Sequence, residues 1–330
     1  MSDINSKMLE IGEEVDRFIA HLIDSNHDPR MLYRAAVHLI NAGGKRLRPF
    51  MVVKTCRLVG GSMKEAIPAA AAVEILHTFT LMHDDIMDRD TLRRGVETVH
   101  VKWGVPIAIL SGDLLFAKVF EVISDSYAAE PKKAIEILKL LCEVTVQICE
   151  GQTLDMSFES RRNISEEEYL EMISKKTAKL LEVSARIGGI VGGGDPQQLE
   201  ALTNFGYNAG MAFQIIDDIL GLMAVEEELG KPVGSDLREG KMTLIIIHAL
   251  NNASPSERKV LLDVLGKESA SKSEINRAVE VINALGSIEY ARKIAERYAS
   301  ESKEALSSFK DCDDKRDLIE LVDLILSRRR

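Results

Sequence analysis

The sequence is short of the residues that punctuate or cross-link a chain. Its 330 residues include only 4 cysteines, 8 prolines, 22 glycines and a single tryptophan. Glycine and proline together make up about 9 % of the chain, below the roughly 12 % of average usage. Turns are therefore few, and long helices are favoured over many short strands. Cys56, Cys142, Cys149 and Cys312 show no Cys-x-x-Cys spacing. That excludes a disulfide scaffold or a zinc module and points to reduced thiols in the cytoplasm. Cys142 and Cys149 fall on one helical face, where burial as packing residues is expected. Aromatic residues are 5 % of the chain against 45 % apolar residues, so the core must be built from Leu, Ile, Ala, Val and Met, which suit helix packing. Basic charge is also short: 42 Lys and Arg against 52 Asp and Glu leave a net −10. This excludes a general nucleic-acid binder, whose phosphate contacts need a basic face. The most apolar stretch, Ala66 to Met82, is interrupted by Pro68, Glu74 and His77, so no transmembrane segment is expected. The opening residues are acidic and amphipathic, unlike a secretory signal.

Helical periodicity fills most of the rest, and no Asn-Gly or Asp-Gly hairpin turn separates alternating stretches. An all-α fold in one continuous domain, 1–330, follows. Helices are expected at about 3–24, 29–41, 49–59, 64–88, 104–124, 131–155, 165–190, 196–224, 240–251, 255–266, 273–284 and 287–328, the last broken near Asp311. Pro29 and Pro49 suit first turns, Ser165 with Glu168 reads as a capping box, and Asp195-Pro196 repeats a cap-then-proline signal.

Two apolar helices end in similar words, Leu81-Met-His-Asp-Asp-Ile-Met-Asp88 and Gln214-Ile-Ile-Asp-Asp-Ile-Leu-Gly221. At about 100° per residue, Asp84, Asp85 and Asp88 fall within one arc of a helix. Crowded carboxylates at the end of an otherwise buried helix need a cation, and oxygen ligands at i and i+4 suit magnesium, which shares its remaining positions with phosphate. If Asp217 and Asp218 face the first set, the two walls form a diphosphate clamp. The counter-charges are present as well. Asn41-Ala-Gly-Gly-Lys-Arg-Leu-Arg-Pro49 sets three cations beside two glycines and a helix start, an anion grip. Arg93, Arg94, Lys176, Thr177, Lys231 and Lys241 add to it. His77 lies two turns before Asp84 and is either a core histidine or a donor to phosphate. His83-Asp84 also fits the HD pair of a metal phosphohydrolase, but the other histidines show no ligand spacing for it.

With these residues in view, the chain resembles the trans-isoprenyl diphosphate synthases, and most closely the short-chain, archaeal-type geranylgeranyl diphosphate synthases. The resemblance runs from about Asn41 to Ala249, through GGKRLRP, Glu74-Ile-Leu-His-Thr-Phe-Thr-Leu-Met-His-Asp-Asp-Ile-Met-Asp88, Arg93-Arg94-Gly95, Gly112-Asp113, Lys176-Thr177, Phe213-Gln-Ile-Ile-Asp-Asp218 and the following GKPxGSD loop. It implies a single helical bundle of the isoprenoid synthase type with a central cavity. It also implies condensation of isopentenyl diphosphate with an allylic diphosphate. Asp84, Asp88 and Asp217 then resemble the Mg2+ ligands, with Asp85 and Asp218 in support. Arg93, Lys176, Thr177, Gln214, Lys231 and Lys241 resemble the allylic-diphosphate contacts, and Lys45, Arg48, His77 and Arg94 the isopentenyl-diphosphate grip. Phe79, with the small Thr80 beside it, looks like the pattern that stops the product at geranylgeranyl diphosphate, C20; helix phase alone does not aim Phe79 at the tail. A homodimer is implied too. The second motif departs from DDxxD, because position 221 is Gly; Asp236, in the loop that follows, is the candidate substitute. Alternatives at this point are a farnesyl or bifunctional farnesyl/geranylgeranyl synthase and a non-catalytic partner subunit of the same fold. A terpene cyclase shares the metal logic but has no need of Lys45, Arg48 and His77.

Overall fold

Four of the described helices start where a serine oxygen is followed three residues later by a glutamate. Ser62 with Glu65, Ser165 with Glu168, Ser254 with Glu257 and Ser271 with Glu274 each form a reciprocal capping box, satisfying amide donors that a helix start leaves orphaned. Asp195 and Gln198 exchange the same pair of bonds ahead of Pro196, both at 2.9 Å. The structure, a computed structural model, describes residues 3–158, 161, 163–223, 235–267 and 269–328. Its helices are α1 (Asp3–Leu22), α2 (Arg30–Ala36), α3 (His38–Asn41), α4 (Leu47–Leu58), α5 (Met63–Met87), α6 (Val99–Trp103), α7 (Val105–Ser126), α8 (Pro131–Phe158), α9 (Glu166–Ile173), α10 (Lys179–Val191), α11 (Pro196–Met223), α12 (Ser235–Glu239), α13 (Leu244–Asn252), α14 (Pro255–Leu262), α15 (Lys272–Ala284), α16 (Ser287–Ala305) and α17 (Asp313–Ser327). A wider π-helical turn, Ser174–Ala178, joins α9 to α10.

The all-α expectation holds, with one departure. Leu92–Arg93 (β1) and Val96–Glu97 (β2) pair antiparallel, Leu92 opposite Glu97 and Arg93 opposite Val96. The turn is Arg94-Gly95, with φ of 54° and 76°. Two consecutive positive φ angles match the right-handed twist of a hairpin. An arginine in the first of these positions hides the turn from a search for Asn-Gly or Asp-Gly.

The chain divides into two compact units: Met1–Glu143 with Val183–Thr203 and Ser308–Glu320, and Val144–Glu182 with Asn204–Ser307 and Leu321–Arg330. In the first unit α5 packs against α7, α4 and α1. Its four consecutive alanines, Ala69 to Ala72, are fully buried, and such small side chains let helices approach closely. Among the described residues α5 alone is long and apolar enough to cross a membrane; its residues 69–76 are instead buried inside the unit. Lys54, on α4, is buried between Asp314 at 2.9 Å and Asp317 at 2.6 Å, which fixes the start of α17 against α4. Breaking that pair would leave an uncompensated buried charge. In the second unit Tyr169, Ile215, Ile219, Ile245, Ile275 and Ala291 belong to one apolar cluster.

Candidate active site

The first aspartates occupy the last turn of α5. Asp85 points inward and is 1 % exposed, while Asp84 is partly exposed and Asp88, the C-cap, is exposed. The hairpin brings Arg93 back onto them. Its Nε donates to Asp85, and its Nη2 lies 3.1 Å from Asp90 and 4.0 Å from Asp84. Burial pushes the Asp85 carboxyl up to about 6 against the pull of Arg93, the expected direction for a carboxylate taken out of water. Burial also works against the Arg93 guanidinium, but Asp85, Asp84 and Asp90 outweigh it and raise its pKa. The second oxygen of Asp85 is buried without a hydrogen-bond partner among the described residues.

The glycine loop before α4 does two jobs. Gly43 and Gly44 have φ of 84° and 152°, and a Cβ on Gly44 would stand 2.9 Å from the Arg94 guanidinium carbon and 3.2 Å from Arg46 Nη1. Only glycine lets both guanidiniums close in. Arg46 is structural: it is buried, binding Glu74 at 2.7 Å, the Ile40 carbonyl at 2.7 Å and Asp16 at 2.9 and 3.0 Å. Arg94 shares Glu74 at 3.6 Å and donates to the Leu39 carbonyl at 2.8 Å. Lys45 is exposed and Arg48 partly buried. His77, partly buried two turns before Asp84, has its pKa well below the ordinary 6.5 through burial and then through Arg48, Arg94, Arg93 and Arg46. The charges of four guanidiniums thus reach one imidazole, although Arg46 and Arg94 are also engaged by Glu74.

Below the aspartates, Phe79 stacks on Phe116 of α7 at 5.0 Å and meets His83 edge-on at 4.7 Å; Phe120 meets Phe116 edge-on at 5.0 Å. A Cβ on Gly112 would stand 2.4 Å from His83 Nε2, so Gly112 makes room for that ring. Among the described residues no three His, Cys, Asp or Glu side chains are grouped to hold a metal by themselves. The Thr80 hydroxyl donates to the His77 carbonyl at 2.8 Å. In the sequence Phe116 and Phe120 are legible only as an i, i+4 aromatic pair.

The second motif is wired differently. Tyr169, fully buried on α9, donates to Asp218 at 2.6 Å; Gln214 donates to the other Asp218 oxygen at 2.8 Å and accepts from Thr177 at 2.8 Å. Burial raises the Asp218 carboxyl to about 7, against the hydrogen bonds of Tyr169 and Gln214 and helped by Asp236 and Asp217. Lys176 and Thr177 sit on the π turn, which two glycines admit. A Cβ on Gly151 would stand 2.4 Å from the Lys176 amide nitrogen, and one on Gly210 2.6 Å from the Ala178 Cα. Asp155 accepts from Lys176 at 2.6 Å. Asp236 abuts Gly221: a Cβ there would stand 2.4 Å from its Oδ2. The Asp236 carboxylate, carried by α12, not a loop, thus occupies space that a side chain at 221 would need. Lys241 lies 2.9 Å from Glu239 and 3.8 Å from Asp236; burial opposes its charge, but Asp236, Glu239 and Asp155 win and raise its pKa. Lys231 lies outside the described residues. Tyr169 and Asp155 had no signal in the sequence beyond their residue types.

Within the first unit the hard oxygen donors of Asp84 and Asp88, with an orphaned oxygen on Asp85, and within the second unit those of Asp217 and Asp236 are each of the chemistry that suits a divalent ion taking one or two carboxylates and completing its shell with water and phosphate.

One reading of the sequence needs correction. Cys142 and Cys149 are exposed, not packed inside: a spacing of seven places them on one face of α8 but does not say which face is covered. Ile135 and Met156, at the same spacing, are exposed too, at 54 % and 46 %.

Comparisons with known proteins agree with the motifs. The chain is 45 % identical to a geranylgeranyl diphosphate synthase of Methanosarcina mazei over 317 residues, 96 % of this chain and 95 % of that protein. Its structure is similar to that of a geranylgeranyl pyrophosphate synthetase from Pyrococcus horikoshii, with TM-score 0.92, 42 % identity and 99 % of each chain covered. It is also similar to a polyprenyl synthase from Caulobacter crescentus, solved with calcium and isoprenyl diphosphate, with TM-score 0.89, 35 % identity and coverage of 99 % and 97 %. The polyprenyl synthetase family model matches residues 29–282, and the chain therefore belongs to the polyprenyl synthetase family.

Proposed function

We propose that the chain is a short-chain trans-prenyltransferase that joins isopentenyl diphosphate to an allylic diphosphate and releases mainly all-trans geranylgeranyl diphosphate, C20. The observation that carries this reading is the set of four guanidiniums whose charges reach His77 on α5, the helix that also carries Asp84. Glu74, Asp16, Asp85 and Asp90 already pair with Arg46, Arg93 and Arg94, and a diphosphate would add a further acceptor for the guanidinium N–H groups. Lys45, Arg48, His77 and Arg94 hold isopentenyl diphosphate. Asp84, Asp88 and Asp217 hold Mg2+ with the allylic diphosphate, and Arg93, Lys176, Thr177, Gln214, Lys231 and Lys241 contact that diphosphate. Bound magnesium supplies the positive charge that turns diphosphate into a leaving group. The lysines and arginines neutralise the charge that builds on the bridging oxygen as the carbon–oxygen bond breaks, its electron pair leaving with the diphosphate. The isopentenyl double bond then attacks the allylic carbon, and the proton lost from the new chain goes to the departing diphosphate. No side-chain nucleophile takes part.

The aromatic row of Phe79, Phe116 and Phe120 supports a floor that stops growth. The test is product analysis by mass spectrometry with C5, C10 and C15 allylic starters, isopentenyl diphosphate and magnesium. C20 product is expected from each, none without isopentenyl diphosphate, and longer product from Phe79→Ala. A Phe79→Ala enzyme that still stops at C20 removes Phe79 from that role.

A single domain over 1–330, a homodimer and a cytoplasmic setting belong to the same proposal. The free cysteines support a reducing compartment, and the uncovered apolar line along α8 supports a second copy. Light scattering in solution tests the dimer.

A further inference from the structure

Beyond the residues assigned above, one cation stands against the second motif. Just past the end of α17, Arg328 turns its guanidinium onto Asp217, with Nη2 3.2 Å from Oδ1. The same guanidinium covers the ring of Phe213, 4.7 Å from its centroid. Phe213 lies one turn before Asp217 on α11, so ring and carboxylate share a face. The arginine side chain is 14 % exposed and that of Asp217 48 %. The cation is tucked in while the carboxylate stays open. Two further nitrogens of Arg328, Nε and Nη1, are buried and find no acceptor among the described residues.

That seat is a compromise. A guanidinium with a purely structural task has its N–H groups satisfied, as Arg46 does. Among the described residues Arg328 is held by one ion pair and one ring face, each a modest contribution where a partner is solvent-exposed. Its partner is the carboxylate to which the proposed function gives a divalent ion, and Oδ1 cannot serve both cations at once.

We propose that Arg328 is a placeholder cation for the second aspartate motif. It neutralises Asp217 while no divalent ion is bound, and it leaves that carboxylate when the ion arrives. The exchange lowers metal affinity and makes the position of residue 328 depend on metal. This rests on the reading of Asp217 as a metal ligand, and the experiment separates the two.

Mn2+ alone is titrated into the full chain, with the free ion followed by electron paramagnetic resonance, for wild type, Arg328→Gln, Phe213→Leu, Asp217→Asn and the Asp217→Asn/Arg328→Gln double variant. Circular dichroism checks that each is folded. Arg328→Gln should bind the ion roughly three- to tenfold more tightly, the range that a partly exposed ion pair with a stacked ring can contribute. Phe213→Leu should shift affinity in the same direction by less, and it keeps the proposal testable if Arg328→Gln does not fold. Asp217→Asn should bind more weakly, and in that background Arg328→Gln should have no further effect. Unchanged affinity in Arg328→Gln and Phe213→Leu, with Asp217→Asn weakened, overturns the placeholder. A gain from Arg328→Gln that persists without Asp217 overturns it as well, because it marks a general charge effect. Unchanged affinity in Asp217→Asn removes Asp217 from the metal site, and with it the basis of the proposal.

Discussion

The two aspartate pairs look alike in the sequence and are held in opposite ways. In each, one member is turned inward and its neighbour is left accessible: Asp85 and Asp84 on α5, Asp218 and Asp217 on α11. The inward Asp85 is answered by a full positive charge, Arg93. The inward Asp218 is answered by neutral donors, Tyr169 and Gln214. Burial raises both carboxyls, to about 6 and about 7 respectively, and the partners oppose it in each case. The buried carboxylate of the first half is thus supported by a charged donor, and that of the second by neutral ones.

The largest effect expected from breaking this comparison is at the accessible member of the charged half. Asp84→Asn should lower kcat/KM by two to three decades, on the order of 3–4 kcal/mol in barrier, as for the loss of one electrostatic contact in a reacting site. Helicity by circular dichroism should stay unchanged, because Asp84 is not in the core. A variant with full activity would remove Asp84 from the chemistry.

The next effect belongs to the other half, where Gly221 and Asp236 divide one space. Gly221→Ala gains helix propensity, about 1 kcal/mol, and its Cβ meets only the tip of the Asp236 carboxylate, which can swing aside. Thermal stability should hold while kcat/KM falls roughly ten- to a hundredfold, the scale of a misplacement of about 1 Å at a reacting site. Loss of stability together with activity would mean that the close approach serves packing. Equal activity would mean that Asp236 does not stand in for the missing third aspartate.

Tyr169→Phe sharpens the contrast between charged and neutral support. It removes one donor to Asp218 from a fully buried ring and should cost about 1–3 kcal/mol of stability in denaturant unfolding. The Asp218 carboxyl should rise further, since Tyr169 is the larger of the hydrogen bonds that lower it. What the sequence could and could not tell divides along the same line. Spacing along one helix is a local property, so the aspartate pairs, the Ser165 cap and the break near Asp311 could be read directly. Tyr169 on α9 meets Asp218 on α11, and Asp236 on α12 meets Gly221 on α11; such contacts are set by tertiary packing and leave no periodic trace. Arg46 shows the opposite failure. Three neighbouring cations read as one anion grip, yet its positive φ and the buried Glu74 turn the middle one inward. The face of α8 that carries Cys142 failed for a related reason, since periodicity groups residues without saying what covers them.

The smallest expected effect tests the charged half through its surroundings rather than its carboxylates. His77 sits among Arg48, Arg94, Arg93 and Arg46, and burial, reinforced by their charge, holds its pKa well below 6.5. In the unfolded chain the ring takes up a proton near pH 6.5, while in the folded chain it stays neutral. Below that pH the unfolded state binds more protons, so folding stability contributed by His77 is present above about pH 6.5 and is lost as pH falls toward the folded pKa. Thermal melts of wild type should drop from pH 7.5 to pH 5.5 by more than those of His77→Gln, which cannot titrate. An NMR titration should show the His77 ring unprotonated at pH 6. If added inorganic pyrophosphate raises that pKa, the arginines have found their anion, since a bound negative charge offsets the repulsion that adds to burial in keeping the ring neutral. If the ring already titrates normally without it, the guanidiniums do not act together on His77, and the cationic half is a set of separate surface charges.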